Sequence, residues 1–327
     1  MACYDGHVST GLADTLEAFR PVTPDVAGRL AGYYHPDLAT RYWRSPTYLA
    51  HDGANGWAVL DGCLCLLWSK IVHNHWNLYL HHPPIHPNGD RITEGRVLAG
   101  LMAQGIGCMV SQADAERYCL PPEFLGAKPA SVEIVYTGEG TPPGAKWQNA
   151  RTGANRGKAA VVAGRVNVRC SATPDTKAVE DCVRVTRAWA QRDGSPAAGP
   201  YERMVRAFGA AQGGRRLATI LYDDIGPFAY SLSEQIGHGQ AAIIARARDY
   251  TVRTLQDPDA LLHVYEREMW GGYTLNIGAG LNPDMARHKK ALAPHTTVAV
   301  HKARTGVPDR SLYRPRKERA AGPPTLF

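Results

Sequence analysis

A chain of 327 residues with 44% hydrophobic composition can bury more than one small core, so its size implies two domains and excludes a wholly disordered protein. A formal charge of +7 favours an anionic partner, such as a nucleic acid, a tRNA, a nucleotide cofactor or a membrane surface, without choosing among them. The seven scattered cysteines do not form a disulfide scaffold, no apolar run approaches the roughly 18 residues that span a bilayer, and Met1 to His7 lacks a signal-peptide pattern, which together imply a reduced, cytoplasmic protein with no membrane span.

In chain order, Thr23-Pro24-Asp25 reads as an N-cap with proline at the first helical position, opening a helix to about Tyr34. Tyr48 to Ala50, Gly56 to Leu60 and Cys63 to Trp68 are expected strands, separated by the turns Asp52-Gly53 and Asp61-Gly62 as in an antiparallel meander. His73 to His81 alternates, placing Trp76, Leu78 and Leu80 on a core face and His73, His75, Asn77, Tyr79 and His81 on a polar one. His73 with His75, and Cys63 with Cys65, have i, i+2 spacing that two metal ligands can share, but without longer-range ligand spacing the cysteines read as small hydrophobes and no metal is assigned. After the Pro83-Pro84 and Pro87-Asn-Gly-Asp90 breaks, Thr93 to Gln104 reads as an amphipathic helix, Ile106 to Val110 as a buried strand and Ala113 to Tyr118 as a short helical turn. Leu120-Pro121-Pro122 then suggests a domain boundary near residue 126.

The second half opens with a strand, Ser131 to Tyr136, and a turn from Gly138 to Gly144. Lys146, Arg151, Arg156, Lys158, Arg165 and Arg169 follow with no intervening acid, which suits either a cradle for phosphates or a solvated face. Asp175 to Ala190 and Pro200 to Ala211 have helical spacing; Arg216 to Tyr222, Phe228 to Leu232 and Gln240 to Arg248 are consecutive strands. Asp257-Pro258 caps a helix from Asp259 to Met269, and Tyr273-Thr-Leu-Asn-Ile-Gly-Ala-Gly280 reads as a strand entering a glycine-rich mouth. A short helix with Lys289 and Lys290 and a last strand, Thr296 to Lys302, precede a basic tail over residues 305–327 that is expected to be poorly ordered.

Val132-Glu-Ile-Val-Tyr136, Pro143-Gly-Ala-Lys146, Asn149-Ala-Arg151 to Arg156, Asp249-Tyr250, Leu275-Asn-Ile-Gly278 and Lys289-Lys290 together resemble the C-terminal domain of phosphatidylglycerol lysyltransferase and its soluble relatives, the DUF2156 family, over roughly residues 20–304. The resemblance implies an α+β (mixed α/β) fold of two tandem GNAT-like domains, each a mostly antiparallel central sheet flanked by helices. The N-terminal lobe would span residues 1–126 and the catalytic lobe 127–304. It implies a transferase moving an acyl or aminoacyl group from an activated donor, acyl-CoA or aminoacyl-tRNA, to an amine or hydroxyl. Such chemistry needs a proton acceptor and a stabilised carbonyl oxygen. On the matching positions, Asp249 or Tyr250 would be acid or base, Asn276 and Lys290 would position the carbonyl, and Lys146, Arg151, Arg156, Arg253, Gly278 and Lys289 would bind the donor or its phosphates. A pyrophosphate loop would sit where this chain has Asp249-Tyr-Thr-Val-Arg253 without glycine, which puts CoA in question. The alternatives are acylation of a DNA or tRNA base and non-catalytic nucleic-acid binding on the same fold.

Overall fold

The computed structural model describes residues 12–30, 33–34, 44–51, 55–72, 75–137, 144–193, 198–211, 214–279 and 283–305. Residues 306–327 of the basic tail, the His73 position and residues 138–143 of the expected turn lie outside the described residues. The first half contains α1 (Leu12–Glu17), β1 (Arg20–Pro21), α2 (Pro24–Leu30), α3 (Pro46–Ala50), β2 (Asn55–Leu60), β3 (Cys63–Val72), β4 (His75–Leu80), α4 (Arg91–Ala103), β5 (Gly107–Ser111) and α5 (Gln112–Arg117). The second contains β6 (Ser131–Tyr136), α6 (Gln148–Val162), β7 (Asn167–Ser171), α7 (Thr176–Asp193), α8 (Ala198–Ala210), β8 (Arg216–Tyr222), β9 (Pro227–Gly237), β10 (Gln240–Arg248), α9 (Pro258–Met269), β11 (Thr274–Ala279), α10 (Pro283–Leu292) and β12 (His295–Ala303).

The same unit occurs twice. An antiparallel meander (β2, β3, β4) leads through α4 to β5, which is parallel to β4; β8, β9 and β10 lead through α9 to β11, which is parallel to β10. The helix is needed because a parallel partner cannot be reached by a tight turn. The two units do not form separate sheets as expected, but one mixed, mostly antiparallel sheet of twelve strands ordered β1-β2-β3-β4-β5-β12-β6-β11-β10-β9-β8-β7. Strand β12, the last of the chain, inserts between β5 and β6 and carries the sheet across the seam.

Tyr48 to Ala50, expected as a strand, is helical. Pro46 stands at the first turn of α3 and the Ser45 hydroxyl accepts from Tyr48 N at 2.9 Å, so local capping overrides the apolar pattern. Ser45 also donates to Glu234 of β9, whose carboxylate takes Thr47 N at 2.9 Å and Thr47 Oγ1 at 2.8 Å. A buried acid in the second half thereby fastens a helix of the first. On β4, Leu78 and Leu80 face the core as expected, but Tyr79 and His81 are buried too. Tyr79 lies under Lys302 and Arg304, and His81 bonds Asn55 Oδ1 at 2.6 Å, so the second face of the strand is covered rather than solvated. Cys63 and Cys65 are enclosed in the first hydrophobic core.

In the second half, α7 and α8 pack on one face of the sheet, over Ala218, Ile220, Tyr230, Leu232 and Ala242. Helix α9 covers the opposite face, and α6 crosses it. That crossing depends on Gly153 and Gly157. A Cβ on Gly157 would stand 2.9 Å from Leu261 Cβ, and one on Gly153 would stand 3.0 Å from Ala260 Cβ. Gly157→Ala should therefore destabilise the chain by about 1–3 kcal/mol through overpacking, whereas Gly100→Ala in α4, where a Cβ meets nothing within 4 Å, should stabilise it by about 0.5–1 kcal/mol; urea unfolding of the two variants measures both.

Candidate functional site

Strands β10 and β11 pair only from Gln240 to Ala242 and from Thr274 to Asn276. Beyond that point β10 continues on β9 to Arg248, with a register shift between Ile243 and Ala245, while β11 follows β6 through a bulge between Asn276 and Ala279. The strands separate, and backbone groups that a sheet would pair need other partners. Gly278, at φ +68°, adopts the left-handed conformation that the bulge requires. Its N–H donates to Asn276 Oδ1 at 2.8 Å, and Asn276 Nδ2 donates to Glu133 of β6 at 2.7 Å. Lys289 Nζ donates to the carbonyls of Ile277 and Ala279 at 2.6 and 2.9 Å, and Tyr136 donates its hydroxyl to Lys289 O at 2.7 Å. Burial, and then the Arg246 charge, lower the Lys289 ammonium to about 8.

Helix α9 turns Asp259, His263 and Glu266 toward this opening, one helical stripe at i, i+4 and i+7. Arg246, projecting from β10, pairs with the fully buried Glu266. His263 packs edge-on against Tyr136 with ring centroids 4.8 Å apart; burial, then Arg246 and Arg267, hold it neutral, with its pKa lowered to about 3. At the outer end of the stripe, His288 of α10 bonds Asp259 Oδ2 through Nε2 at 3.0 Å, and Arg248 Nη1 stands 4.0 Å from the same oxygen. Burial alone would raise the Asp259 carboxyl, but the His288 hydrogen bond and the Arg246 charge outweigh it and hold the pKa at about 2. The same hydrogen bond raises the His288 pKa above its ordinary value, against partial desolvation.

His288 opens onto a cavity of about 520 Å³, walled by Asn149, Thr152, Gly153 and Arg156 of α6 together with Arg248 and Gln256. The α6 positions follow i, i+3, i+4 and i+7 spacing and so share one face. A second cavity of about 280 Å³ adjoins it through Arg248, Leu255 and Gln256, and is edged by Asp249, Tyr250 and Arg253.

The residues singled out from the sequence have different fates. Arg156 and Arg253 line the cavities, with Arg156 Nη1 donating to Gln256 at 2.9 Å. Tyr250 has two guanidinium groups against its ring, Arg192 at 4.2 Å and Arg248 at 4.3 Å from the ring centre. Asp249 Oδ1 accepts from Thr251 N and Oγ1 at 2.8 and 2.7 Å, the bonding of a turn cap. Asn276 is fully buried, and its amide spans Glu133 and Gly278; Gly278 and Lys289 belong to the same bulge, where Lys289 holds carbonyls rather than phosphates. Lys290, the next residue on α10, is exposed. Lys146 is exposed over the Trp147 ring at 4.6 Å, and Arg151 is half-buried; neither borders the two cavities. The basic block is also compensated from outside its own segment: Lys158 approaches Glu268 at 3.8 Å, and Arg169 pairs with Asp175 at 2.8 Å.

Sequence reading missed the α9 stripe and its partners Arg246 and His288. The signal was present as Asp259, His263 and Glu266 at helical spacing, flanked by Leu261 and Leu262, but a polar stripe ordinarily marks the solvent side of a helix. The N-terminus of α9 also disfavours a pyrophosphate. Asp257 Oδ1 takes Ala260 N at 3.3 Å, Pro258 has no N–H, and Asp259 adds a second carboxylate.

The His288 bond supplies stability that is complete below the ordinary imidazole pKa of 6.5 and is lost as pH rises through the raised folded-state value. Wild type should accordingly lose more stability than Asp259→Asn between pH 5.5 and 8, as read by urea unfolding at the two pH values. Equal losses would show that this pair is not formed.

No protein-family model matches the chain, and no curated protein matches it by sequence. Solved structures do. A conserved protein of unknown function from Bacteroides thetaiotaomicron superposes with a TM-score of 0.61 at 17% identity, covering 89% of this chain and 95% of that one. FemX gives 0.57 at 11% identity over 84% and 94%. The C-terminal DUF2156 domain of an Agrobacterium fabrum protein assigned as a lysylphosphatidylglycerol synthetase gives 0.53 at 10% identity over 78% and 85%. At these identities the likeness is one of fold, and the chain has the mixed α/β fold of the DUF2156 domain and FemX, as the sequence resemblance implied.

Proposed function

We propose that this chain is a transferase that moves an acyl or aminoacyl group from an activated ester or thioester to an amine or hydroxyl, with the reaction at the separated ends of β10 and β11. The observation that carries this reading is that separation, opening beside a cavity of about 520 Å³ that Arg156 and Arg248 border. An acyl donor with an anionic handle fits such a place. Guanidinium groups bind phosphate or carboxylate oxygens at the wall, and the reactive carbonyl lies toward the polar floor. The fold shared with a lysylphosphatidylglycerol synthetase domain supports the same class of chemistry.

Between the two donor classes, the geometry favours aminoacyl-tRNA over acyl-CoA. A CoA pyrophosphate would meet the carboxylates of Asp257 and Asp259 at the start of α9 instead of free N–H groups. A tRNA end would instead spread its phosphates over Arg156, Arg248 and Arg253, three cations against the carboxylates of Asp257 in the first cavity and Asp249 in the second. Of the residues expected to serve the carbonyl, Asn276 sets the shape of the bulge, and Gly278 allows it.

Transfer to a small amine should be assayed with aminoacyl-tRNA and with acetyl-CoA as alternative donors. Aminoacyl-tRNA should support transfer with a KM that rises steeply with salt, and Arg156→Ala and Arg253→Ala should each raise that KM roughly tenfold by removing one charge-assisted contact. Saturable transfer from acetyl-CoA alone would overturn the donor assignment, and transfer from neither would overturn the reading.

A further inference from the structure

We propose that His288 is the general base of this transfer and that Asp259 is the residue that positions it; the proposal rests on the transferase reading above. Neither Asp249 nor Tyr250 offers a comparable geometry. Asp249 is committed to its turn, and the Tyr250 ring is engaged by two guanidinium groups, those of Arg192 and Arg248. His288 has the arrangement that proton abstraction needs: one ring nitrogen is fixed by a carboxylate, and the ring borders the cavity where an acceptor would sit.

The hydrogen bond also decides the tautomer. Asp259 is ionised at neutral pH and can only accept, so in the neutral imidazole Nε2 carries the hydrogen and Nδ1 keeps its lone pair. Asp259 is itself held, half-buried, between Arg248 and the Arg246 charge, so the carboxylate cannot readily swing away. The charged groups facing the ring are Asp257 and Asp259 at the start of α9, and Arg246 and Arg248 from β10; Arg156 of α6 borders the same cavity, and Lys289 adjoins on α10. The Asp259 hydrogen bond and the acids favour imidazolium and the Arg246 charge opposes it, which leaves an imidazole more basic than usual.

Ligand atoms of Asp257, Asp259 and His288 lie within 4.8 Å of one another, a set that a divalent ion could also use. The Arg248 guanidinium already faces the Asp259 oxygen that bonds His288, and a second cation there would be repelled. The hydrogen-bonded pair is therefore the favoured arrangement.

In the step assigned to His288, the acceptor nitrogen or oxygen attacks the acyl carbon, and its proton passes to Nδ1 as the new bond forms. When the bond from the acyl carbon to the leaving oxygen or sulfur breaks, the imidazolium returns that proton to the leaving atom. The pair ends neutral and ready for another cycle, with one bond made, one broken and no net proton taken up.

The test uses the full chain with p-nitrophenyl acetate as acyl donor and hydroxylamine as acceptor, following hydroxamate formation against pH, so that the natural donor need not be known. Wild type should show a rate that rises with pH through one inflection above the ordinary imidazole value. His288→Gln should lower kcat by about 10²–10⁴ with little change in KM and abolish the inflection. Asp259→Asn should move the inflection down, a change that a merely structural role would not produce; circular dichroism melts establish that both variants fold. An active wild type whose rate and pH profile survive His288→Gln overturns the base assignment alone, as does a rate that depends on added Mg²⁺ or Zn²⁺ and is lost with a chelator. A wild-type rate no higher than buffer overturns the transferase reading and this assignment with it.

Discussion

The structure of the second half depends on the early parting of β10 and β11. Two parallel strands that pair over three residues and then separate leave backbone carbonyls and N–H groups in the interior, where an unsatisfied group is costly. Side chains meet that demand here. Lys289 takes two carbonyls, Asn276 takes the Gly278 N–H, and Glu133 anchors Asn276. A glutamate buried on the central strand β6 and a lysine reaching in from α10 have little reason to be there except to hold an opening that hydrophobic residues would close.

The same opening explains the polar side of α9. A helix packed on a sheet normally turns leucines inward, and α9 does so with Leu261 and Leu262, yet His263 and Glu266 are buried beside them and Asp259 is half-buried. Burying that stripe is tolerable because Arg246 meets Glu266, and His288 and Arg248 meet Asp259. The result is a line of titratable groups from the interior to the cavity, graded by environment: His263 is kept neutral by burial, while His288 is made more basic by its carboxylate partner. The Gly153 and Gly157 contacts bring α6 close enough to complete the cavity wall.

The first half shares the topology but not this chemistry. Its α4 buries Glu94, which accepts from Tyr118 and Arg117 and from the His86 backbone, so its acid is taken up by structural partners. Its contribution to the second half is mechanical. Ser45 and Thr47 saturate Glu234 on β9, and β5 pairs with the last strand of the chain, so the two repeats are sewn together from both directions.

The sequence by itself determined the local elements with strong periodicity or punctuation: the meander around Asp61-Gly62, α4 after the Pro87-Asn-Gly-Asp90 break, α9 with Asp257-Pro258, and the strand ending in Asn276-Ile-Gly278. These are set by contacts within a few residues, so short-range pattern suffices. By likeness to a known domain it also singled out Arg156, Arg253 and Tyr250, which border the two cavities, and Lys289, which holds the bulge instead. Only the tertiary structure decided that the two repeats share one sheet, that Asn276 and Lys289 clamp a bulge, and that His288 meets Asp259 across 29 positions of chain. Those outcomes depend on which strands separate and on which helix faces are covered, and sequence spacing contains no term for either.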